Sequence, residues 1–426
     1  MPVLVADDVF VSATGPVPQE VWDGLAGPHV YSSSRWLRFC GGDQRGVAGG
    51  LHGGPADRPV FAAPVTRVLE PGHAFYAWAD ILAARGLPAP PPFGIMVGGR
   101  RGYRTHLLPG SADRVTAAAE ALDAVRSLAG SGSGSGSSSG SGSGSGDGSA
   151  AVAMFVDDTD VAAFRAAGVE APPVLLNLDA SLELPPGGWD GYLASLSRSR
   201  RHGVRRDARR FAESGLRVVR RPASECAADA GRLMAATEAR YGHFADTAGL
   251  TRAFAEQAAA MGDAAEVVLA LDEREVATGF CLYYRWDDTL YVRAVGFDYE
   301  ASRHAGEYFE LMYRQPILSA YQHGCRSVHF GIGSADAKAR RGATLRGLWM
   351  LDLGHRSPLA GQEDAVTAAN AALLADLADG SAIVTAALAP DVATLAPDLA
   401  VGAVGQAAGP VGGALDSAVG AVGLGR

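Results

Sequence analysis

The chain has 426 residues, a net charge of −9, 48% apolar and 19% charged residues. That length exceeds one domain of the usual ~100–200 residues, and the apolar share suits a sizeable core. The acidic balance argues against a generally basic, duplex-coating protein but leaves room for a local basic patch.

In chain order, PVFAAPVTRVL (59–69) and HAFYAWADIL (73–82) read as strands, and DRVTAAAEALDAVRSLA (113–129) has helical spacing. The Gly/Ser tract at 130–149 has no apolar group to pack and reads as a disordered insertion. Residues 150–157 then read as a strand and 160–168 as a short helix, so the tract interrupts one domain and does not join two. Residues 189–215 read as two helices ending at Gly215, and 223–242 and 250–261 as alanine-rich helices. Three apolar, β-branched and aromatic runs over 265–298 predict an antiparallel meander. A long amphipathic helix follows at 305–324, with a kink or break expected at Pro316. Strands close the pattern at 325–333 and 347–354. From residue 350 onward there is no aromatic residue. The Ala/Gly/Val-rich segment 356–426 therefore reads as a loosely ordered tail, dispensable beyond about 360.

Four scattered cysteines without a CxxC pair argue against a disulfide scaffold or a thiolate zinc site. His243, His304 and His329 lack metal-ligand spacing, so no metal is expected. No run of ~18 strongly apolar residues predicts a spanning helix. The opening MPVLVADDVFVSATG lacks the basic start and apolar stretch of a secretory leader, so a cytoplasmic protein without a membrane partner is expected.

Three features carry chemistry. Residues 197–221 hold ten arginines against Asp207 and Glu213, a local reversal of sign. On a helix, Arg201, Arg205 and Arg209 share one face, flanked by Arg198, Arg206 and Arg210, as a phosphate-binding stripe would be. Next, Arg303-x-x-Gly306 matches the start of the R-x-x-G-x-G/A loop that cradles coenzyme A pyrophosphate in acetyltransferases, with Tyr308 in place of the final small residue. Lastly, lysine and arginine total 37, of which one alone, Lys338, is lysine. Arginine cannot replace lysine where a compact ammonium with an adjustable pKa is needed. Lys338 and Asp336 lie just beyond a predicted strand end, after Gly331 and Gly333, where an ammonium could meet an oxyanion or phosphate.

Taken in order, LASLSRSRRHGVRRDARRF, GFCLYY, YVRAVGFDYE, the helix ending AYQHG and VHFGIGSADAKARRGA resemble the FemABX-like (BioF2-like) branch of the GNAT acyltransferase superfamily. The likeness spans about 190–350 and is fainter in the first half, at SSSRWLRFCGGD (32–43). It implies an α+β fold of tandem GNAT-like lobes with mixed, mostly antiparallel sheets: an N-terminal lobe over 1–173 and an active lobe over 174–355. It implies acyl transfer to a small-molecule or peptide amine, in small-molecule or cell-wall peptide biosynthesis. The donor implied is aminoacyl-tRNA, a co-substrate with no bound cofactor. Lys338 falls at the lysine of the family's aromatic-Lys loop, with Ala337 in place of the aromatic residue, and Tyr241 is expected near the acceptor. Two alternatives stand: an N-acetyltransferase using acyl-CoA, and a non-catalytic RNA- or polyanion-binding relic.

Overall fold

The computed structural model describes residues 10–11, 16–42, 45–70, 73–130 and 149–393. They divide into two compact units: one takes the chain up to 177 and again over 347–374, the other takes 178–346 and the described residues from 375.

The first unit runs β1 (Phe10–Val11), α1 (Gln19–Ala26), α2 (Ser34–Cys40), β2 (Gly46–Gly53), β3 (Phe61–Val68), α3 (Trp78–Ala84), β4 (Gly94–Val97), β5 (Leu108–Pro109), α4 (Arg114–Gly130), β6 (Ala150–Val156) and α5 (Asp158–Ala166). Its sheet follows β1-β2-β3-β4-β6, with β5 on β3. Helix α4 buries Ala117, Ala121, Leu122, Val125 and Leu128, one apolar stripe at helical spacing. The strand expected at 73–82 is not formed. A 3₁₀ turn over 74–76 leads into α3, whose Trp78 and Leu82 are fully buried. Four residues apart, they share one helix face, and the aromatic run that suggested a strand serves that face as well.

The chain continues through β7 (Val174–Glu183), α6 (Gly188–Ser195), α7 (Arg198–Ala212), β8 (Arg217–Pro222), α8 (Ala227–Arg240), α9 (Thr247–Met261), β9 (Ala265–Leu271), β10 (Ala277–Trp286) and β11 (Thr289–Phe297). After these come α10 (Glu307–Phe309), a π-turn (Glu310–Arg314), α11 (Gln315–Gln322), β12 (Ser327–Ile332), α12 (Ala335–Arg340) and β13 (Thr344–Asp352). The second unit's sheet follows β7-β12-β11-β10-β9-β8. β9, β10 and β11 form the expected meander, with Cys281 opposite Val268 on one side and Val295 on the other. β11 and β12 pair in parallel over only three residues, Thr289–Tyr291 against Ser327–His329. Beyond that pairing the ring of Tyr313 packs against Phe330 at 5.1 Å. The expected break in the long helix lies just ahead of Pro316. The Gln315 amide donates to the Glu310 carbonyl, one residue further back than in an α-helix. Pro316 has no N–H for the α-pattern, and the widened turn absorbs that loss.

The tail expected to be loose from 356 onward is folded through 393, as α13 (Glu363–Ala378), α14 (Ala382–Ala387) and α15 (Pro390–Ala393). In the first unit Leu359, Val366 and Leu374 are buried, and Asn370 both accepts the Leu175 amide at 2.8 Å and donates to the Pro173 carbonyl at 3.0 Å. In the second, Val384 and Val392 are buried and the Ala389 amide donates to the Leu345 carbonyl at 2.8 Å. Alanine-rich helices approach closely, so a few leucines and valines seat them without aromatic anchors. The first unit thus reaches 177 and regains 347–374, where a boundary at 173 and a separate tail were expected. The Gly/Ser tract over 131–148 and residues 394–426 lie outside the described residues, as do the expectations placed on them.

Candidate active site

Helix α7 begins where the Ser197 hydroxyl accepts the Arg200 amide. Its buried residues Val204, Asp207 and Phe211 form one face, and Arg198, Arg205, Arg206 and Arg209 are exposed on the other. With Trp189 and Tyr192 of α6 and the π-turn, the inner face of α7 borders a narrow cleft with about 10 Å³ of room, space for one water. Val204, Asp207, Ala208, Phe309, Glu310, Tyr313, Arg314, Ile317 and Arg341 complete its walls.

Two ion pairs shape it. Arg341 donates to Asp207 at 2.6 Å, and both side chains are about nine-tenths buried. The Arg341 guanidinium also lies 4.3 Å from the Phe309 ring centre, and its carbonyl accepts from the Tyr192 hydroxyl at 3.0 Å. Glu310 is 3% exposed, and its Oε1 accepts from Arg314 and Gln315, both at 2.7 Å. Arg314 in turn lies 5.6 Å from the centre of Trp189. Burial pushes the Tyr192 and Tyr313 phenols up, so both remain neutral donors near pH 7.

The expected arginine stripe divides on inspection. Arg201 turns inward and donates to the Leu196 carbonyl at 3.1 Å, and Arg206 lies 3.4 Å from Asp207. Arg210 donates to the His304 carbonyl at 2.6 Å. Among the described residues, the exposed guanidiniums of this helix with no ion pair to a carboxylate are Arg198, Arg205 and Arg209, so the open face differs from the expected set. Like charges at i, i+4 repel, as Arg201, Arg205 and Arg209 do along this helix.

Lys338 was expected to present its ammonium beyond the strand end. Instead it is fully buried and donates to the Gly331 and Ile332 carbonyls at 2.8 and 2.7 Å. The cause is local: β12 bulges between His329 and Gly331, and Gly331 and Gly333 take positive φ of 69° and 78°. That conformation turns strand-end carbonyls toward α12, and the lysine closes on them. Asp336 pairs with Arg340 at 2.6 Å and accepts from Ser381 of the tail at 2.7 Å. The guanidinium holds its carboxyl below the usual range. Neither residue lines the pocket. Tyr241 is 52% exposed at the end of α8, beside Tyr299, and is likewise not in the pocket wall. The Tyr299 phenol is pushed up to about 12 by burial and by the neighbouring Tyr241.

The Arg303–Gly306 turn has a conformation suited to anions, with Gly306 at φ 89°. Its amides are already taken. Glu307 accepts the Arg303 amide on one oxygen at 2.7 Å and the Ala305 amide on the other at 2.9 Å. The Arg303 side chain is held by Glu273 and by the Ser214 carbonyl at 2.5 Å. A built-in carboxylate therefore occupies the place a pyrophosphate would need.

Sequence reasoning missed Trp189, Tyr192, Glu307, Glu310 and Arg341 as site residues. No spacing motif links them; the one available signal was a glutamate before a proline in a long apolar helix.

The first unit holds a second buried cluster. His106 lies 3.4 Å from Asp157 and 4.0 Å from Asp160, and Arg114 pairs with Asp160 at 2.5 Å. The two acids and the imidazole have metal-ligand proximity. Arg104, 3.7 Å from Asp157, and Arg114 already meet their negative charge.

Residues 184–352 match the FemAB-like family, described as peptidoglycan biosynthesis/recognition. The crystal structure of FemX has the same fold: 13% identity, TM-score 0.51, covering 80% of this chain and 95% of that one. L-PGS from Bacillus licheniformis aligns at 11% identity and TM-score 0.47, over 83% of this chain and 96% of its own. A tandem GNAT protein from the clavulanic acid biosynthesis pathway aligns at 14% and 0.44, over 84% and 99%. No curated protein sequence matches.

Proposed function

We propose that this chain, whose residues 184–352 match the FemAB-like family, transfers an aminoacyl group from a tRNA ester to an amine, with a peptidoglycan-type peptide as the favoured acceptor class. The observation that carries this reading is the two-faced helix α7. Its outer face offers Arg198, Arg205 and Arg209 to a phosphate backbone, while its inner residues Val204, Asp207 and Ala208 border a narrow cleft lined by aromatic and charged groups. One helix thus sets a polyanion track beside a polar, aromatic-lined cleft.

The chemistry asks little of titratable groups. A neutral acceptor amine attacks the ester carbonyl, a C–N bond forms, the C–O bond breaks, and the ribose oxygen leaves with the proton the amine gives up. Positioning and stabilisation of the carbonyl oxyanion supply most of the rate. The acyl-CoA alternative is disfavoured by Glu307, whose carboxylate holds the turn amides and would repel a pyrophosphate. Among the described residues no helix is long and apolar enough to cross a membrane.

The test pairs donor and salt. The full chain is mixed with a charged tRNA pool or with acetyl-CoA, and binding and transfer to a peptide amine are measured. Charged tRNA should bind, and R198A/R205A/R209A should lower the slope of log affinity against log salt by roughly 0.7–0.9 per lost phosphate contact. Acetyl transfer from acetyl-CoA, or tRNA affinity unchanged by the triple substitution at low and high salt, would overturn the proposal.

A further inference from the structure

The turn after α8 keeps two aromatic rings in solvent. Tyr241 is 52% and Phe244 81% exposed, and among the described residues they are the exposed large apolar side chains nearest each other in the chain. The turn itself is fixed. The Gly242 amide donates to the Ala239 carbonyl at 3.1 Å and the His243 amide to the Glu238 carbonyl at 3.0 Å, with Gly242 at φ 77°. This is the glycine-closed end of a helix, which sets the direction in which the chain leaves. Tyr241 is steadied further, because its hydroxyl and that of Tyr299 are hydrogen-bonded. The Arg240 guanidinium lies 4.6 Å from the Tyr299 ring centre.

Position and charge choose the occupant. The segment 298–308 touches both this turn and α7: Tyr299 meets Tyr241 and Arg240, and the His304 carbonyl accepts from Arg210 at 2.6 Å. Arg205 and Arg209, on the same helix as Arg210, are exposed, and so is Arg240 at the turn. Phosphates drawn to α7 are thus followed, across one loop, by two ring faces and a further guanidinium. Paired RNA stacks its bases on one another, whereas unpaired RNA offers them to aromatic and guanidinium planes. A protein partner needs about 800 Å² on each side. Two rings of about 150–250 Å² each, with Gly242 and His243 between them, offer less and suit one or two bases.

We infer that Tyr241 and Phe244 stack on unpaired bases at the aminoacyl-bearing end of the donor tRNA, with Arg240 on an adjoining phosphate. The inference rests on the tRNA-ester reading above and names where the unpaired end of that donor lies. Tyr241, expected beside the acceptor, then serves the donor instead.

Binding of the full chain to a tRNA pool, and to the same pool shortened to remove its unpaired 3′ end, tests this. Y241A/F244A should weaken binding of intact tRNA by about ten-fold or more, the scale of one or two lost base stacks, with the salt slope unchanged. The shortened pool should bind the parent and Y241A/F244A alike, whereas R198A/R205A/R209A should weaken both pools. F244A alone, at the more exposed ring, should show part of the same loss and covers the case of a destabilised Y241A. F244W should keep the parent's affinity, and F244L should lose as much as F244A, since leucine is apolar but has no flat face. Equal affinity of Y241A/F244A and the parent for intact tRNA, or an equal loss with the shortened pool, overturns the inference. Full affinity in F244L overturns it too, because plain apolar contact would then suffice. A parent chain that binds neither pool sinks the transfer reading along with it, whereas tRNA binding that ignores both rings sinks this inference alone.

Discussion

The two units each bury a group of acids and bases, and the groups end differently. In the first unit Asp160 takes the Leu107 amide and Arg114, while His106 stacks on His29 at a centroid distance of 3.5 Å. Burial pushes His106 down to about 4 and His29 down to about 2, so both imidazoles are neutral. Asp160 is pushed up, first by burial and then by the charge of Asp157. This cluster ties strand ends and a helix start together. In the second unit the charges of Asp207, Arg341, Glu310 and Arg314 also balance, yet they do so around a cavity, with one carboxylate oxygen unmet. Buried charge alone does not mark a site. Each cluster keeps a buried polar atom without a hydrogen-bond partner, His106 Nε2 in the first and Glu310 Oε2 in the second, and the second cluster borders a cleft.

The sharpest way to break that comparison is to cut the ion pair behind the pocket. R341A should strand Asp207 and destabilise the chain by about 3–5 kcal/mol, whereas D207L/R341L should recover much of the loss. Denaturant midpoints of the two variants check it; equal stability of R341A and the parent would mean that the pair is solvated and idle.

A smaller effect is expected at Lys338. K338A leaves the Gly331 and Ile332 carbonyls without their ammonium, for a loss of about 2–3 kcal/mol. K338R should fare little better, because a planar fork does not fit where a compact ammonium closes on two carbonyls. Melting temperatures decide this: a K338A chain that melts like the parent but loses turnover would return the lysine to the reaction.

The smallest effect lies in the first unit and depends on pH. The folded pKa of His106, about 4, lies below its unfolded value of 6.5, so the unfolded chain binds the proton first. The contribution of His106 is therefore complete above pH 6.5 and is lost as pH falls toward 4. H106N lacks that loss, so relative to the parent it should gain up to about 1.4 kcal/mol per pH unit across that window. Parallel stability curves for parent and variant would show that the imidazole is solvated.

The meander and most helices were legible because their apolar periods of two and of three to four residues are local properties. The run at 73–82 was not, since its aromatic residues fit a strand or a helix face equally. The tail misled for another reason: Val384 and Val392 are anchors whose worth depends on close approach, which composition does not record. The pocket was hidden most deeply. Trp189, Asp207, Glu310 and Arg341 come from well-separated parts of the chain, so no spacing rule joins them. Arg201 and Lys338 were conspicuous as residue types, but their direction depends on the Leu196 carbonyl and on a bulge in β12.

One connection in the first unit has a bearing on synthesis. Its sheet places Trp349 and Leu351 of β13 beside Val156 and Ala153 of β6. A chain emerging from the ribosome has all of the second unit's sheet strands in hand before it makes those partners. Until then β6 has β4 and the bridge from Thr105 as partners, and the edge that β13 will take stays open to any passing strand. The second unit's sheet is therefore free to form first, while the sheet of the first unit waits for its last strand.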